Sequence, residues 1–226
     1  MAGRWRAALL VLLVILACEP TSDVESPTRG VDSPRRVAHS VETETTIQRV
    51  VNDFGVSPAV PGTVLARVDS PTIRVGHRDV AILAIDRPRT PRRCIVAAQL
   101  RIYTERTRGE VAEELAVYPS LVFDAADKRE GDAFGYSGSA LDIRPRGSLE
   151  LDPSGRVASD VTDIVRLWMA GYPFPSRSLR APKTGPIVFT IRDMEGVPPF
   201  ATATIVSSDA RVNRPELVVT HERDCD

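Results

Sequence analysis

One short stretch of the chain carries an apolar stripe at positions i, i+3, i+4 and i+7: Val161, Ile164, Val165 and Trp168. This spacing predicts an amphipathic helix over about residues 161–170, with Arg166 in solvent. Thr162 or Asp160 can accept hydrogen bonds from the amides at its start, and Gly171 tolerates the positive φ that ends many helices. A helix this short is marginal in isolation, so we expect its stripe to pack against a β-sheet.

Beyond residue 46 the chain consists of short apolar or alternating runs separated by turn residues, which is the pattern of β-strands. In one of these runs Leu100 and Ile102 share a face, and the opposite face carries Gln99, Arg101 and Tyr103. The predicted strands cover residues 47–51, 63–68, 72–75, 79–86, 95–103, 115–122, 148–151, 186–191, 201–207 and 216–221. A loop is predicted at 52–62. Many short strands and one brief helix predict an all-β sandwich.

The N-terminal residues 1–17 have the order of a secretory signal peptide, with a basic start followed by an apolar run. The run is too short to span a bilayer, since a transmembrane helix needs about 20 apolar residues. The tetrapeptide Ile15–Cys18 resembles the lipobox of bacterial lipoproteins, which implies that Cys18 carries a diacylglycerol anchor. Glu19 stands where an aspartate would imply inner-membrane retention, so the outer membrane is favoured. The alternative is an ordinary secretory signal with an incidental cysteine.

Composition sets the remaining boundaries. Residues 18–46 are rich in Pro, Ser, Thr and charged residues and poor in apolar ones, which predicts a flexible tether. Residues 47–222 are enough for one domain, and 223–226 form a tail. The formal net charge is −1 and the arginines are scattered, so we expect no nucleic-acid binding.

The chain has three cysteines, and with Cys18 assigned to lipid the remaining pair is Cys94 and Cys225. Cys94 precedes the predicted strand 95–103, and Cys225 follows the predicted strand 216–221. If these strands are antiparallel neighbours, the start of one lies beside the end of the other and the thiols can form a disulfide. The alternative is two free thiols at a frayed C-terminus.

The order of five segments resembles the DNRLRE domain, which is also grouped with the family 96 carbohydrate-binding modules. The segments are Arg78–Asp86, Ile95–Tyr103, Asp160–Gly171, Ser207–Asp209 and Asn213–Thr220. The likeness covers about residues 47–222 and implies a jelly-roll β-sandwich of bacterial or archaeal surface proteins. Such domains bind polysaccharide or serve as structural modules, and the resemblance implies no catalytic residues. The interval 124–139 lacks the tryptophan that many family members carry there.

A sugar site needs an aromatic platform beneath the ring and planar polar groups for the hydroxyls. The chain offers such residues in the segments before and after the predicted helix. The aromatic candidates are Phe134, Tyr136, Tyr172 and Phe174, and the polar candidates are Arg177, Asp127 and Asp132. The alternative is that these aromatics pin two long loops to the sandwich.

Signatures of enzymes and metal sites are weak. Gly135–Ser139 departs from the Gly-x-Ser-x-Gly motif at its last position, and no strand-to-helix elbow follows it. The histidines lack partners at zinc-ligand spacing. No cofactor is expected, although three aspartates could hold a structural calcium ion: Asp152, Asp160 and Asp163. Their alternative role is helix capping and turn formation.

These observations lead to three hypotheses of function. The first, which we favour, is a non-catalytic envelope lipoprotein whose β-sandwich is a structural or interaction module for another envelope protein. The second is a carbohydrate-binding module on a lipid tether, and the third is a polysaccharide-active enzyme on the same scaffold. In each case the lipid anchor makes the membrane a partner.

Overall fold

The computed structural model of the chain describes residues 41–56, 64–66, 70–76, 79–105, 114–122, 124–127, 133–135, 147–151, 155–171, 180–193 and 202–225, with the backbone alone at 64–66, 126 and 133–135. These residues belong to the compact unit Ser40–Asp226. Within them, no helix has the length and apolar character needed to cross a bilayer.

This part of the chain forms twelve strands and one α-helix. The strands are β1 (Thr43–Val56), β2 (Val64–Ala66), β3 (Thr72–Gly76), β4 (Val80–Ile85), β5 (Ile95–Glu105), β6 (Glu114–Pro119), β7 (Ala133–Gly135), β8 (Gly147–Glu150), β9 (Arg156–Asp160), β10 (Ile187–Asp193), β11 (Thr202–Val206) and β12 (Glu216–Glu222). The helix is α1 (Thr162–Met169), and 3-10 helices cover Arg92–Cys94 and Ala125–Asp127. β-Branched and other apolar residues dominate the longer strands, which fits their extended backbone.

Ten strands join in one antiparallel sheet of order β3-β11-β5-β12-β1-β4-β10-β6-β8, with β9 paired to β5; β2 pairs with β7 separately. The long strand β1 belongs to both halves, because Thr43–Arg49 pair with β12 and Val50–Val56 pair with β4. Its register shifts between Val50 and Asn52, where the strand passes from one half to the other. The halves form the two layers of a β-sandwich, and β3 contacts β4 and β10 across the interior. The predicted all-β sandwich is confirmed.

The core takes the alternate side chains of both layers. Among the fully buried ones are Leu83, Val117 and Phe189 from one layer and Leu100, Ile102 and Leu217 from the other. β4 and β10 are buried on both faces. Val122 and Ala125 belong to the same apolar cluster, and Asn52 Nδ2 donates to the Ala125 carbonyl over 2.7 Å. The segment after β6 therefore covers the back of the β4–β10 layer.

The two layers approach each other closely where β8 and β9 meet. A Cβ atom at Gly147 would overlap Ser159 Oγ and would lie 3.2 Å from Val161 Cγ1. Only a glycine fits this point without displacing its neighbours.

The predicted helix is confirmed as α1, with Trp168 only 1 % exposed. The helix contacts β5 in one layer and β6 in the other, so it closes one end of the sandwich. Asp160 Oδ1 accepts hydrogen bonds from the Thr162 amide at 2.9 Å and the Thr162 hydroxyl at 2.6 Å. Gly171 follows the helix with a φ of 66°. Both ends are therefore fixed as the sequence predicts.

Arg166 differs from the prediction that it stays in solvent. Its side chain is half-buried, and Nε donates to the Ile95 carbonyl over 3.2 Å. A longer bond of 3.4 Å runs from its guanidinium to the Val96 carbonyl. The periodicity of the helix could not show this, because the acceptors are backbone atoms of β5.

Three strands differ from the predicted pattern. β1 begins at Thr43 rather than residue 47, and it continues through Asn52 and Asp53, which the sequence assigns to a loop. Pairing of this stretch with β4 overrides its local turn preference. β7 and β9 have no counterpart among the predicted strands, since each is short and contains few bulky apolar residues.

The predicted disulfide is present between Cys94 and Cys225, with their Cα atoms 5.5 Å apart. It follows from the sheet register. β5 and β12 are antiparallel neighbours, and Ile95 lies opposite His221. The end of β12 therefore lies beside the start of β5, as the predicted antiparallel pairing requires.

Candidate binding face

Four strands of one layer share a broad face that points away from the core. In β5 the side chains of Ala98, Leu100 and Ile102 are buried, so the alternate residues point outward. The register extends this face to β9, β12 and β1. We call it the outer sheet face, and its residues are Thr45, Ile47 and Arg49 of β1, Glu216, Val218 and Thr220 of β12, Ala97, Gln99, Arg101 and Tyr103 of β5, and Arg156, Ala158 and Asp160 of β9.

The outward residues of β5 form a line along the middle of this face. Exposed Gln99 comes first, half-buried Arg101 second and half-buried Tyr103 third. From a strand rise of about 3.3 Å per residue, the line is about 13 Å long. It therefore offers an amide, a guanidinium and a phenol at regular spacing along a segment of an extended ligand.

Neighbouring strands support this line. The Arg101 guanidinium pairs with the Glu216 carboxylate at 3.2 Å, and each side chain retains about a quarter of its exposure. Gln99 lies opposite Val218 of β12 on one side and Asp160 of β9 on the other. The ion pair and the strand pairing restrict the side chains, so the line is held ready for contact.

The face ends in a shallow hollow of about 470 Å³ at the start of α1. The hollow is lined by Val96, Ala97, Arg166 and the run Asp160–Ile164. Arg166 fixes its wall by donating to the backbone of β5. Exposed Asp163 contributes a carboxylate, which can accept hydrogen bonds from hydroxyl or amide groups.

Most residues predicted for a sugar site lie outside the described residues: Tyr136, Tyr172, Phe174, Arg177 and Asp132. Phe134 lies in β7, where only the backbone is described. Asp127 is exposed at the end of a 3-10 helix that contacts β1 and β4, so it lies over the layer opposite the outer sheet face. The alternation in β5 was the signal for the outer sheet face, but the sequence could not show which strands flank it.

The three aspartates considered for calcium are not all described, since Asp152 lies outside the described residues. Asp160 accepts hydrogen bonds from the amide and the hydroxyl of Thr162 at the start of α1, and Asp163 lies on the first turn of the helix. Over the described ranges, no three His, Cys, Asp or Glu side chains are grouped so that they could hold a metal ion.

Asp53 is a buried carboxylate that the sequence analysis missed, because it assigned this residue to a loop. It is 2 % exposed, and its Oδ1 accepts bonds from the hydroxyls of Ser207 at 3.0 Å and Ser208 at 2.8 Å. Its Oδ2 accepts the Ser208 amide at 2.6 Å. Burial raises the pKa of Asp53 above 3.8, and the serine hydrogen bonds oppose that rise. Asp53 therefore ties β1 to the turn after β11.

We expect Asp53→Asn to lower the free energy of unfolding by about 1–3 kcal/mol, because the amide cannot accept both sets of serine donors. The raised pKa means that the folded state holds the proton more tightly than the unfolded state. The contribution of Asp53 to wild-type stability therefore falls as the pH rises from 3.8 through the folded-state pKa. Above that pKa the contribution is constant. Urea unfolding of both proteins from acidic to neutral pH measures the difference. A difference independent of pH would contradict the assignment.

In the comparisons with known proteins, no family model matches the chain and no curated protein matches it significantly. The sequence motifs and the geometry of the outer sheet face therefore carry the proposal of function.

Proposed function

We propose that this chain is an exported lipoprotein whose β-sandwich is a non-catalytic interaction module, and that it binds its partner through the outer sheet face. The line Gln99, Arg101 and Tyr103 carries the proposal. It joins donors, an acceptor and an aromatic ring on the single strand β5, which β12 and β9 hold on both sides, so little freedom is lost on binding. Arg and Tyr are also enriched at the centres of protein interfaces. Another envelope protein is the partner that we favour.

The place of action that we propose is the cell envelope, with the anchor in the outer membrane. The lipobox-like Ile15–Cys18 and the following Glu19 support this location. The part of the predicted tether that precedes β1, residues 18–42, would supply reach between the anchor and the domain. The resemblance to the DNRLRE domain supports a role at the cell surface, in a jelly-roll arrangement of the sandwich.

The anchor is tested in cells that express the full chain and are fed an alkyne-labelled fatty acid. We expect the wild type to take up label and to enter the membrane fraction, and Cys18→Ala to do neither. Glu19→Asp is the matched variant for sorting, because it keeps the thiol and should move the labelled protein to the inner membrane. Label on Cys18→Ala would overturn the assignment of the anchor.

A polysaccharide is the second candidate partner, and Tyr103 favours it. An aromatic ring next to planar amide and guanidinium groups suits the apolar face and the hydroxyls of a sugar. In this case we expect the full chain to be retained on a polysaccharide column. Tyr103→Ala or Gln99→Ala should weaken the binding at least about tenfold, which is about 1.4 kcal/mol.

Asp127 gives the matched control for both partners, since it is exposed on the opposite layer. A photoreactive amino acid at position 99 of the full chain should give a covalent product in cells, and the same residue at position 127 should not. Mass spectrometry of the cross-linked peptide identifies a protein partner, and a loss of mass of the product on digestion by glycosidases identifies a polysaccharide. A product from position 127 alone would overturn the outer sheet face as the binding surface.

A further inference from the structure

The first half of β1 has an edge that no described strand covers. Thr43–Arg49 pair with β12 along one edge, and β4 joins the other edge only from Val50 onward. This half carries no proline, no lysine and no bulge, which are the usual means of blocking a sheet edge. The exposed strand edge is therefore open to pairing with a further strand.

The direction of the backbone groups along this edge follows from two hydrogen bonds. The Arg223 amide of the β12 side donates to the Glu42 carbonyl, and the Asp86 amide of the β4 side donates to the Arg49 carbonyl. Backbone groups of successive strand residues point in alternate directions. The N–H and C=O groups that point to the open edge are therefore those of Thr43, Thr45 and Ile47.

The side chains at this edge are also accessible. Thr43, Glu44 and Thr45 are exposed, and Ile47 is 58 % exposed although it is apolar. A strand added here would receive hydrogen bonds from three residues and would cover part of the Ile47 side chain. Polar backbone groups and an apolar side chain are thus presented together.

We propose that this edge pairs with the same edge of a second copy of the chain. The two β1 strands lie antiparallel around a twofold axis at Thr45. Thr45 then lies opposite Thr45 of the second copy, and Thr43 lies opposite Ile47. Each such pair exchanges both backbone hydrogen bonds.

This register makes the edge of β1 more complementary to its own copy than the registers one residue to either side. A twofold axis perpendicular to the sheet keeps equivalent side chains on the same face of the combined sheet. The axis then lies midway between the two copies of one residue. An axis at Glu44 would place that carboxylate opposite its own copy. An axis at Thr46 would oppose Thr43 to Arg49, whose carbonyl is already bonded to Asp86. The axis at Thr45 avoids the first, because Glu44 then meets Thr46. It places Arg49 opposite Val41, which precedes β1 and so lies outside the paired stretch.

This pairing would join the β9-β5-β12-β1 layers of two copies into one continuous sheet. The twofold axis would place the two outer sheet faces on the same side. The inference depends only on the free edge of β1, so it stands or fails independently of what the outer sheet face binds.

Sedimentation velocity of the purified full chain, over a range of protein concentrations at fixed low detergent, tests the pairing. We expect the wild type to form a dimer as its concentration rises. Thr45→Pro should remain monomeric, because proline removes an N–H that points to the open edge. It keeps the backbone hydrogen bonds to β12 and loses only the contact of the Thr45 hydroxyl with Thr220. Thr45→Lys should also remain monomeric, because it places two like charges opposite each other.

Thr220→Lys is the matched control, since Thr220 faces Thr45 from β12 on the same outer sheet face but lies one strand away from the axis. It should dimerise like the wild type. Hydrogen exchange gives a second readout: the amides of Thr43, Thr45 and Ile47 should become protected as the protein concentration rises. A wild type that stays monomeric, or a dimer that survives Thr45→Lys, would overturn the proposal.

Discussion

Replacing Trp168 with alanine is expected to lower the free energy of unfolding by about 3–5 kcal/mol. The side chain is 1 % exposed and belongs to the apolar core. Alanine would lose its burial and leave a cavity where α1 contacts both β5 and β6, so the end of the sandwich would loosen. Equilibrium unfolding in urea, followed by far-ultraviolet circular dichroism, measures the loss.

Leu167→Ala is the matched control in the same helix. It also removes several carbons, but from a side chain that is only half-buried. We expect its loss to be clearly smaller than that of Trp168→Ala. Equal losses for the two variants would mean that the helix is stabilised by its own propensity and not by packing against the sheets.

Removing the disulfide is the second change with a large expected effect. The bridge spans 131 positions of sequence, and the chain-entropy model assigns about 5 kcal/mol to so long a loop. Measured losses of native disulfides are about 2–5 kcal/mol, so we expect a loss in that range for the Cys94→Ser, Cys225→Ser double variant. Urea unfolding of the wild type and the double variant measures it.

A reducing agent separates the effect of the bond from that of the serines. Reduction should lower the stability of the wild type toward that of the double variant, and it should leave the double variant unchanged. Alkylation of the unfolded, unreduced protein should add no mass at Cys94 or Cys225. Alkylation at either cysteine would contradict the disulfide.

Much of the local structure could be predicted because it depends on residues close in sequence. The apolar stripe ending at Trp168, with Asp160 and Gly171 at its borders, specifies α1 without reference to the sheets. The alternation around Leu100 likewise specifies which side chains of β5 point inward. The disulfide needed one further step, since it depends on β5 and β12 being neighbours.

The structural features that the sequence predicted wrongly, or did not predict, depend on contacts between distant segments. Asn52 and Asp53 have the local character of a turn, but pairing with β4 keeps them extended and Ser207 and Ser208 bind the Asp53 carboxylate. Arg166 has the character of a solvated residue, but a carbonyl of β5 lies within reach of its guanidinium. In each case the decisive partner is at least 30 positions away.

The candidate site likewise has features that the sequence shows and features that depend on strand pairing. The sequence pointed to aromatic residues in loops, because such residues are visible without any knowledge of pairing. The outer sheet face depends on register, which places Gln99 beside Val218 and Asp160 beside Gln99. A residue's neighbours across a sheet are set by long-range hydrogen bonding, so no single strand contains that information.

By itself the sequence determined the strand-rich character of this protein, its one amphipathic helix and the residues that turn inward, because hydrophobic periodicity acts over a few residues. The tertiary structure alone decided the strand order, the division of β1 between two layers and the edge at Thr43–Ile47 that no described strand covers. Those features arise from backbone pairing between segments far apart in the chain, and backbone groups are the same for nearly every residue type.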